Sequence, residues 1–485
     1  MKKFRSWVLV FGWAYLIFYL SGIPFLETGL PYDFELRKRA HVFEFFVLTF
    51  FLRNALKETF KLTQRRLLIY AAALSILYAC SDEFHQMFVP GRMSSLRDVC
   101  IDSIGVFGFL ILSKVLARKK SFLIFLAFCS ALLFQGKAWC EEPCRRGLFV
   151  MVLQEPAVLS SAKRMDELVL TAQRTGTTDL FVQVYRADQA WFASTMADQS
   201  PYEACYRGLS QDPLKLLIKK AHQKGIKVHA WLNMLSLSRN KQARLLKKYG
   251  RSILTSNREA KNDISDYSID GQYFLEPGDP RTIGDLCAMV KEFVAGYAEL
   301  DGIMFDYVRY PDMHPAYGYT KANIERFKRA TGSDSVEEDS SAWKDWKRSQ
   351  VTLALKNFVN AARGAKTGIT VSATGCMPYS RAFFEAFQDW PAWLKSGLVD
   401  FVAIMDYSPD HSEFERWIND VKDKVPDLSK VYIAVGAYKL VDRPDEFAKE
   451  FRFSEASGCG GSIVFHYGSL LENPELSEQL KKCTR

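Results

Sequence analysis

The spacing of apolar positions changes character near residue 140. Before it, apolar residues come in long runs. Trp7–Leu26 contains no charge. Further runs cover about Val42–Leu56, Leu67–Cys80, Val99–Leu116 and Ser121–Gly136, broken only by Glu44, Arg53, Asp102 and Lys114. A helix needs about 17 to 25 apolar residues to cross a hydrocarbon core of about 30 Å. Several runs are short for that, and each alone suits a buried core helix. Five of them within the first 140 residues predict an α-helical membrane bundle of about five spans.

From Arg146 onward, short apolar runs alternate with amphipathic stretches. The strand candidates are Leu148–Leu153, Leu180–Tyr185, Val228–Asn233, Gly302–Tyr307, Ile369–Ala373, Phe401–Asp406, Tyr432–Gly436 and Ser462–His466. Helical periodicity fills Pro213–Gln223, Thr282–Glu299, Ala342–Ala365 and Pro444–Ser457 between them. Eight strands with intervening helices predict an α/β fold, a (β/α)8 TIM barrel with insertions. A doubly wound open sheet lacks support, because no Gly-rich phosphate loop follows the first strand. The division is thus 1–118 for a membrane domain, 119–145 for a fifth span or internal signal-like segment with linker, and 146–485 for the barrel.

Charge sharpens this division. The chain carries net charge +9, but residues 1–140 hold 18 Lys+Arg against 9 Asp+Glu, whereas residues 141–485 hold 46 of each. The basic excess therefore belongs to loops beside apolar runs, and a nucleic-acid footprint is excluded. Lys2, Lys3 and Arg5, then Lys57, Lys61, Arg65 and Arg66, then Arg118, Lys119 and Lys120 fall on one side of a five-span arrangement. That side is cytoplasmic by the positive-inside rule. Arg37-Lys38-Arg39 runs against the assignment. A multi-pass protein of the cytoplasmic (inner) membrane is expected, with the C-terminal domain extracytoplasmic or periplasmic. The lipid bilayer is then one partner. The fifth run, preceded by Arg118-Lys119-Lys120, also reads as an internal signal peptide, although no clean small-x-small site follows it.

The membrane domain holds polar and ionisable residues at unusual depth: His41, Glu44, Asp82, Glu83, Gln86, Arg92, Asp98 and Asp102. Such groups are costly in hydrocarbon and point to a functional site. Structural ion pairs, such as Arg92 with Asp98 or Glu83, are the alternative. The spaced set His41-x-x-Glu44, Tyr78-x-x-x-Asp82-Glu83-x-x-Gln86, Pro90-Gly91-Arg92-x-x-Ser95-x-x-Asp98 and Gly105 resembles the VanZ-like family of membrane proteins. The resemblance covers about residues 1–118 and implies an envelope-associated membrane protein.

In a (β/α)8 barrel, chemistry sits at the C-terminal ends of the strands. Those ends carry Arg186, Trp231, Asn233, Asp306, Arg309, Tyr310, Asp406, Tyr407 and His466. Aromatic faces stack on sugar rings, and carboxylates handle hydroxyls and the glycosidic oxygen. Glycoside hydrolysis usually needs two carboxylates. Asp306 and Asp406 are the acids at clear strand ends, and alternation puts Gly302, Met304 and Asp306 on one face. Arg186, Asn233 and Tyr407 are expected to orient the sugar, and Trp231 to offer a stacking face. A loop-closing ion pair with Arg309 is the structural alternative for Asp306. Glu276, within Leu275-Glu276-Pro277-Gly278-Asp279-Pro280, could reach the site or cap its loop. The seven His residues show no zinc spacing, so neither metal nor cofactor is expected. Seven of the ten Cys lie at or beyond Cys140, where Cys140 and Cys144 are one possible disulfide pair.

The run Leu300-Asp301-Gly302-Ile303-Met304-Phe305-Asp306-Tyr307-Val308-Arg309-Tyr310-Pro311 resembles the strand-four signature of the glycosyl-hydrolase-like 10 family. Glu276–Pro280, Trp231-Leu232-Asn233 and Phe401–Tyr407 carry the same resemblance, over about residues 147–470. It implies a barrel hydrolase acting on envelope glycans such as peptidoglycan strands, with Asp306 as the motif's acid. Many relatives carry a further acid directly after it, where this chain has Tyr307. A chitinase-type Asp-Gly-x-Asp-x-Asp-x-Glu motif does not fit, because Val308 stands at the Glu position. Two readings follow: a membrane-anchored glycoside hydrolase, or a membrane-tethered module that binds glycan without cleaving it.

Overall fold

The computed structural model describes residues 2–21, 33–86, 102–110, 113, 145–259, 262–311, 314–337, 339–425 and 427–483. The chain divides into two compact units, Met1–Cys140 and Glu141–Arg485.

In the first unit the leading apolar runs form helices α1 (Lys2–Ser21), α2 (Asp33–Thr59) and α3 (Gln64–Gln86). The fourth run contributes a helical stretch over residues 102–110, and the fifth lies outside the described residues. Ile17, Phe45, Leu48 and Ala71 are fully or nearly fully buried between the helices. Side-chain donors tie the bundle across its interior. The Trp7 indole donates to Thr59 Oγ1 at 2.9 Å, the Tyr78 hydroxyl to the Ala14 carbonyl at 2.6 Å, and Thr49 Oγ1 to Ser75 Oγ at 2.9 Å. Gly105 lies so close to α2 that an added Cβ would stand 2.1 Å from the Val42 carbonyl oxygen. A small residue there lets two helix backbones meet.

Among the described residues no helix is long and apolar enough to cross a membrane. The first helix is the most apolar of the three and carries Trp7, Trp13, Tyr15 and Tyr19, residues that favour the membrane interface. The second contains Arg37, Lys38, Arg39, Glu44, Arg53 and Lys57. The third opens on Arg65-Arg66 and closes on Asp82-Glu83.

In the second unit eight parallel strands close on themselves: β1 (Arg145–Val150), β2 (Asp179–Arg186), β3 (Lys227–Asn233), β4 (Gly302–Asp306), β5 (Thr370–Cys376), β6 (Phe401–Asp406), β7 (Val431–Val435) and β8 (Gly461–Val464). Each pairs with its neighbours in chain order, and β8 pairs with β1. The open-sheet alternative is thereby excluded. All eight predicted strands are present, with ends displaced by up to three residues.

Alternation divides each strand between two cores. Phe149, Phe181, Trp231, Met304, Ala403 and Ile463 fill the barrel interior. Val182, Ile303, Val371, Val402 and Ile433 face outward, in a core shared with helix residues such as Leu286, Met289 and Phe293. Helix starts are fixed locally. Asp279 accepts from the Arg281 amide with Pro280 following it, and Ser340 and Asp410 cap later helices in the same way.

The N-terminal end of the barrel is sealed by a buried pair, His229 Nε2 to Asp179 Oδ1 at 2.9 Å. Burial alone would raise the Asp179 pKa, but His229, Thr178 and Arg145 outweigh it and hold the carboxyl below its ordinary value. Gly302 makes room for this pair, since a Cβ there would stand 2.1 Å from His229 Nδ1.

Candidate active site

Asp306 ends β4 on its inner face, in register beside Asn233 of β3. Three donors converge on its carboxylate. The Trp231 indole reaches Oδ2 at 2.9 Å, while the Thr374 hydroxyl and the Tyr307 amide reach Oδ1 at 2.5 and 2.7 Å. An ionised carboxylate accepts only, and this donor set suits that form. Arg309 Nη1 lies 3.6 Å from Oδ1, and its guanidinium sits 4.3 Å from the centre of the Tyr307 ring. The Asp306–Arg309 ion pair, the structural alternative for this acid, is therefore present, and Asp306 lines the cleft at the mouth of the barrel as well. Tyr307 has φ +54°, the left-handed region that aromatic residues rarely occupy. That turn aims its amide back at the carboxylate before it, at a backbone cost of about 1–3 kcal/mol.

Asp306 lines a cleft of about 310 Å3 together with Gln183, Arg186, Asn233, Thr374, Tyr407 and Lys439. Arg186 reaches the cleft through an irregularity in β2. The β2–β3 register shifts between Gln183 and Tyr185. Val184 and Tyr185 then both pack outward, and Arg186 comes into the inward phase. A bulge re-aims a side chain in just this manner. Gln183 donates to Asn233 Oδ1 at 3.2 Å, which orders two amides on the cleft floor. Tyr407 leans on Phe465 with ring centroids 4.8 Å apart, and burial pushes its hydroxyl well above the ordinary phenol range.

Several expected site residues stand elsewhere. Trp231 lines the cleft but is only 4% exposed; its indole edge is used on Asp306 and its ring packs on Phe149 at 4.9 Å. It holds the acid in place and does not offer an open stacking face. Tyr310 donates to Glu276 Oε1 at 2.5 Å in a buried network with Asn323, away from the cleft. Burial raises the Glu276 pKa, against the pull of Tyr310, Thr255, Arg326 and Lys347. His466 is half-buried behind Tyr438, with ring centroids 6.4 Å apart, and burial lowers its pKa.

Asp406 needs correction most. It was expected at the same rim as Asp306, yet it shares the outward phase of Val402 and Ile404, whereas Met405 and Tyr407 point into the cleft. It is fully buried in the outer layer, and among the described residues its one hydrogen-bond donor is the Ser408 amide, 3.5 Å from Oδ1. Burial first, then Glu450 and Glu413, push its pKa up to about 8 against that bond. Glu450 is also fully buried and also raised to about 8. Among the described residues, Asp306 is the only carboxylate that lines the cleft.

Sequence reading missed Gln183, Thr374, Arg381, Tyr438 and Lys439, all of which line the cleft. Thr374 was within reach, since it shares the inward phase of Ser372 one residue beyond the predicted strand. Among the described residues no group of three or more His, Cys, Asp and Glu could hold a metal ion. Cys140 and Cys144 lie outside the described residues. In the first unit Glu44 is half-buried, and Asp82, Glu83 and Asp102 are buried. Ser21 donates to Asp82 Oδ2 at 2.9 Å. The side chains of His41 and Gln86, and all of Arg92 and Asp98, lie outside the described residues.

Residues 147–451 match the family model described as glycosyl hydrolase-like 10, and residues 4–118 match that described as VanZ/LLP1. The chain is 23% identical over 292 residues to glycosyl hydrolase DigH of Escherichia coli K12, and equally to DigH of Shigella flexneri. That alignment spans 55% of this chain and 64% of the relative. Among solved structures it is similar to the catalytic domain of a β-amylase from Paenibacillus polymyxa, at 12% identity and TM-score 0.45, covering 70% of this chain and 97% of that one. It is also similar to α-L-fucosidase isoenzyme 2 from Paenibacillus thiaminolyticus, at 15% identity and TM-score 0.48, covering 70% and 48%.

Proposed function

Since this chain belongs to the glycosyl hydrolase-like 10 family, we propose that it is a membrane-anchored glycoside hydrolase acting on extracytoplasmic envelope polysaccharide, such as peptidoglycan glycan strands. The observation that carries the reading is Asp306, a carboxylate at the barrel mouth held by Trp231, Thr374 and the Tyr307 amide. Three donors and a cation at 3.6 Å favour a nucleophile, base or electrostatic role over that of proton donor. Arg186, Asn233, Arg309 and Tyr407 supply polar contacts around the ring that Asp306 addresses.

The anchor is residues 1–118, which match VanZ/LLP1. Large apolar side chains are exposed on its helices, among them Phe4, Phe11, Tyr15 and Leu77 at 65–77%. Apolar surface of this kind suits contact with lipid. The basic clusters support an extracytoplasmic C-terminal unit. A periplasm-active reporter fused after Arg485 should work there, and a reporter active only in the cytoplasm would remove the cell-wall substrate from consideration.

A second reading, a tethered module that binds glycan without cleavage, is favoured by one observation: the cleft holds a single carboxylate among the described residues. Incubating the purified full chain with peptidoglycan and exopolysaccharides separates the two. New reducing ends lost in Asp306→Asn support hydrolysis. Binding without cleavage on every glycan supports the module.

A further inference from the structure

The charge of the cleft is lopsided. Its lining carries four cationic side chains, Arg186, Arg309, Arg381 and Lys439, against the one carboxylate of Asp306. Arg309 is engaged with Asp306 at 3.6 Å and with the Tyr307 ring at 4.3 Å. Arg186 differs. It is half-buried, the β2 bulge turns it into the cleft, and among the described residues its side chain has neither hydrogen bond nor ion pair. Lys439 stands at the cleft's outer edge, 6.0 Å from the Tyr438 ring centre, likewise without an ion pair among the described residues. A guanidinium partly withdrawn from water and left unpaired is costly, and it regains that cost on meeting an anion. A neutral sugar offers this group only uncharged acceptors, hydroxyls or an acetamido carbonyl. Asp306 does not serve: its oxygens receive Trp231, Thr374 and the Tyr307 amide, its ion pair is with Arg309, and among the described residues no hydrogen bond or ion pair joins it to Arg186.

We infer that the cleft takes an acidic glycan, whose carboxylate or phosphate substituent is bound by Arg186, with Lys439 assisting at the entrance. The inference rests on the reading of the cleft as a glycan site and names the chemical class of sugar it accepts. Arg186 is then a specificity-determining residue. Its planar fork suits either anion bidentately, and Lys439 adds a point charge that draws the acidic chain inward.

The test uses the purified full chain in detergent and β-1,4-linked oligosaccharides of glucose and of N-acetylglucosamine. Each is prepared as the neutral chain, the C6-carboxylate and the C6-phosphate. At low salt an acidic form should bind roughly tenfold or more tighter than its neutral counterpart, the worth of about one charge-assisted hydrogen bond. Comparing the carboxylate and phosphate arms identifies which anion fits. Arg186→Gln should abolish most of this preference, and Lys439→Gln should reduce it and flatten its salt dependence, the ratio of acidic to neutral affinity being the readout for both. Lys439 is exposed, so that second variant stays informative if Arg186→Gln fails to fold. Equal binding of neutral and acidic forms, or a preference that survives both substitutions, overturns the inference and leaves the glycan reading standing. Failure to bind any of these chains or any peptidoglycan overturns both.

Discussion

Asp406→Asn tests whether this acid belongs to the frame or to the chemistry. Its carboxyl is fully buried, faces the outer core and is raised from 3.8 to about 8. At about 1.4 kcal/mol per pH unit, ionising it in place costs roughly 6 kcal/mol. The folded pKa lies above the unfolded one, so the native state keeps a proton that the unfolded chain releases. The stabilisation is complete below pH ~4 and is lost as pH rises towards and through 8. Glu450 behaves alike: burial raises it to about 8, Glu446 and Asp410 add to the rise, and Arg443 and Lys449 oppose it. Two such groups make stability fall near pH 6 by about 3 kcal/mol per pH unit, and Asn at position 406 should roughly halve that slope. Denaturant unfolding of the full chain from pH 4.5 to 8.5, followed by tryptophan fluorescence, reads this out, because seven of the ten Trp lie in residues 141–485. Turnover should persist, since Asp406 does not line the cleft. Parallel pH curves for variant and parent would refute the buried-acid argument. A folded variant without turnover would return Asp406 to the reaction.

Asp306→Asn should lower kcat by roughly a thousandfold or more while glycan binding holds, as expected for a group acting in the transition state; near-normal turnover would remove it from the chemistry. Glu276→Gln should leave kcat within about twofold, because its Tyr310 partner, itself bonded by Asn323, holds it in a buried network outside the cleft; the cost should appear as a loss of about 1–3 kcal/mol in unfolding free energy. Gly302→Ala should destabilise the barrel by about 3 kcal/mol or more, since the new methyl overlaps the His229 ring; soluble expression with an unchanged midpoint would show that the Asp179–His229 pair can move aside.

The barrel was legible because each strand carries a run of apolar residues on both faces, and eight such runs separated by helical period admit few closures. Their C-terminal ends were legible too, which brought Asp306, Arg186, Asn233 and Tyr407 to one cleft. The failures share one physical origin: a strand end names a position and leaves its phase open. Alternation places Asp306 inside, counted from Gly302 and Met304. The same count from Ala403 and Met405 places Tyr407 inside and Asp406 outside, so that error was avoidable. Arg186 escapes the count altogether. Simple alternation from Phe181 and Gln183 would put Tyr185 in the cleft and Arg186 outside. The register shift after Gln183 reverses them, and no apolar pattern announces it. Lys439 and Arg381 follow strand ends at a distance, on segments whose course depends on tertiary packing. Thus the inward place of Asp306 was readable from period two, and Arg186 and Arg309 from their places at strand ends, whereas the inward phase of Arg186 and the cleft positions of Arg381 and Lys439 were not. They come from a bulge and from loops, where sequence spacing no longer fixes direction.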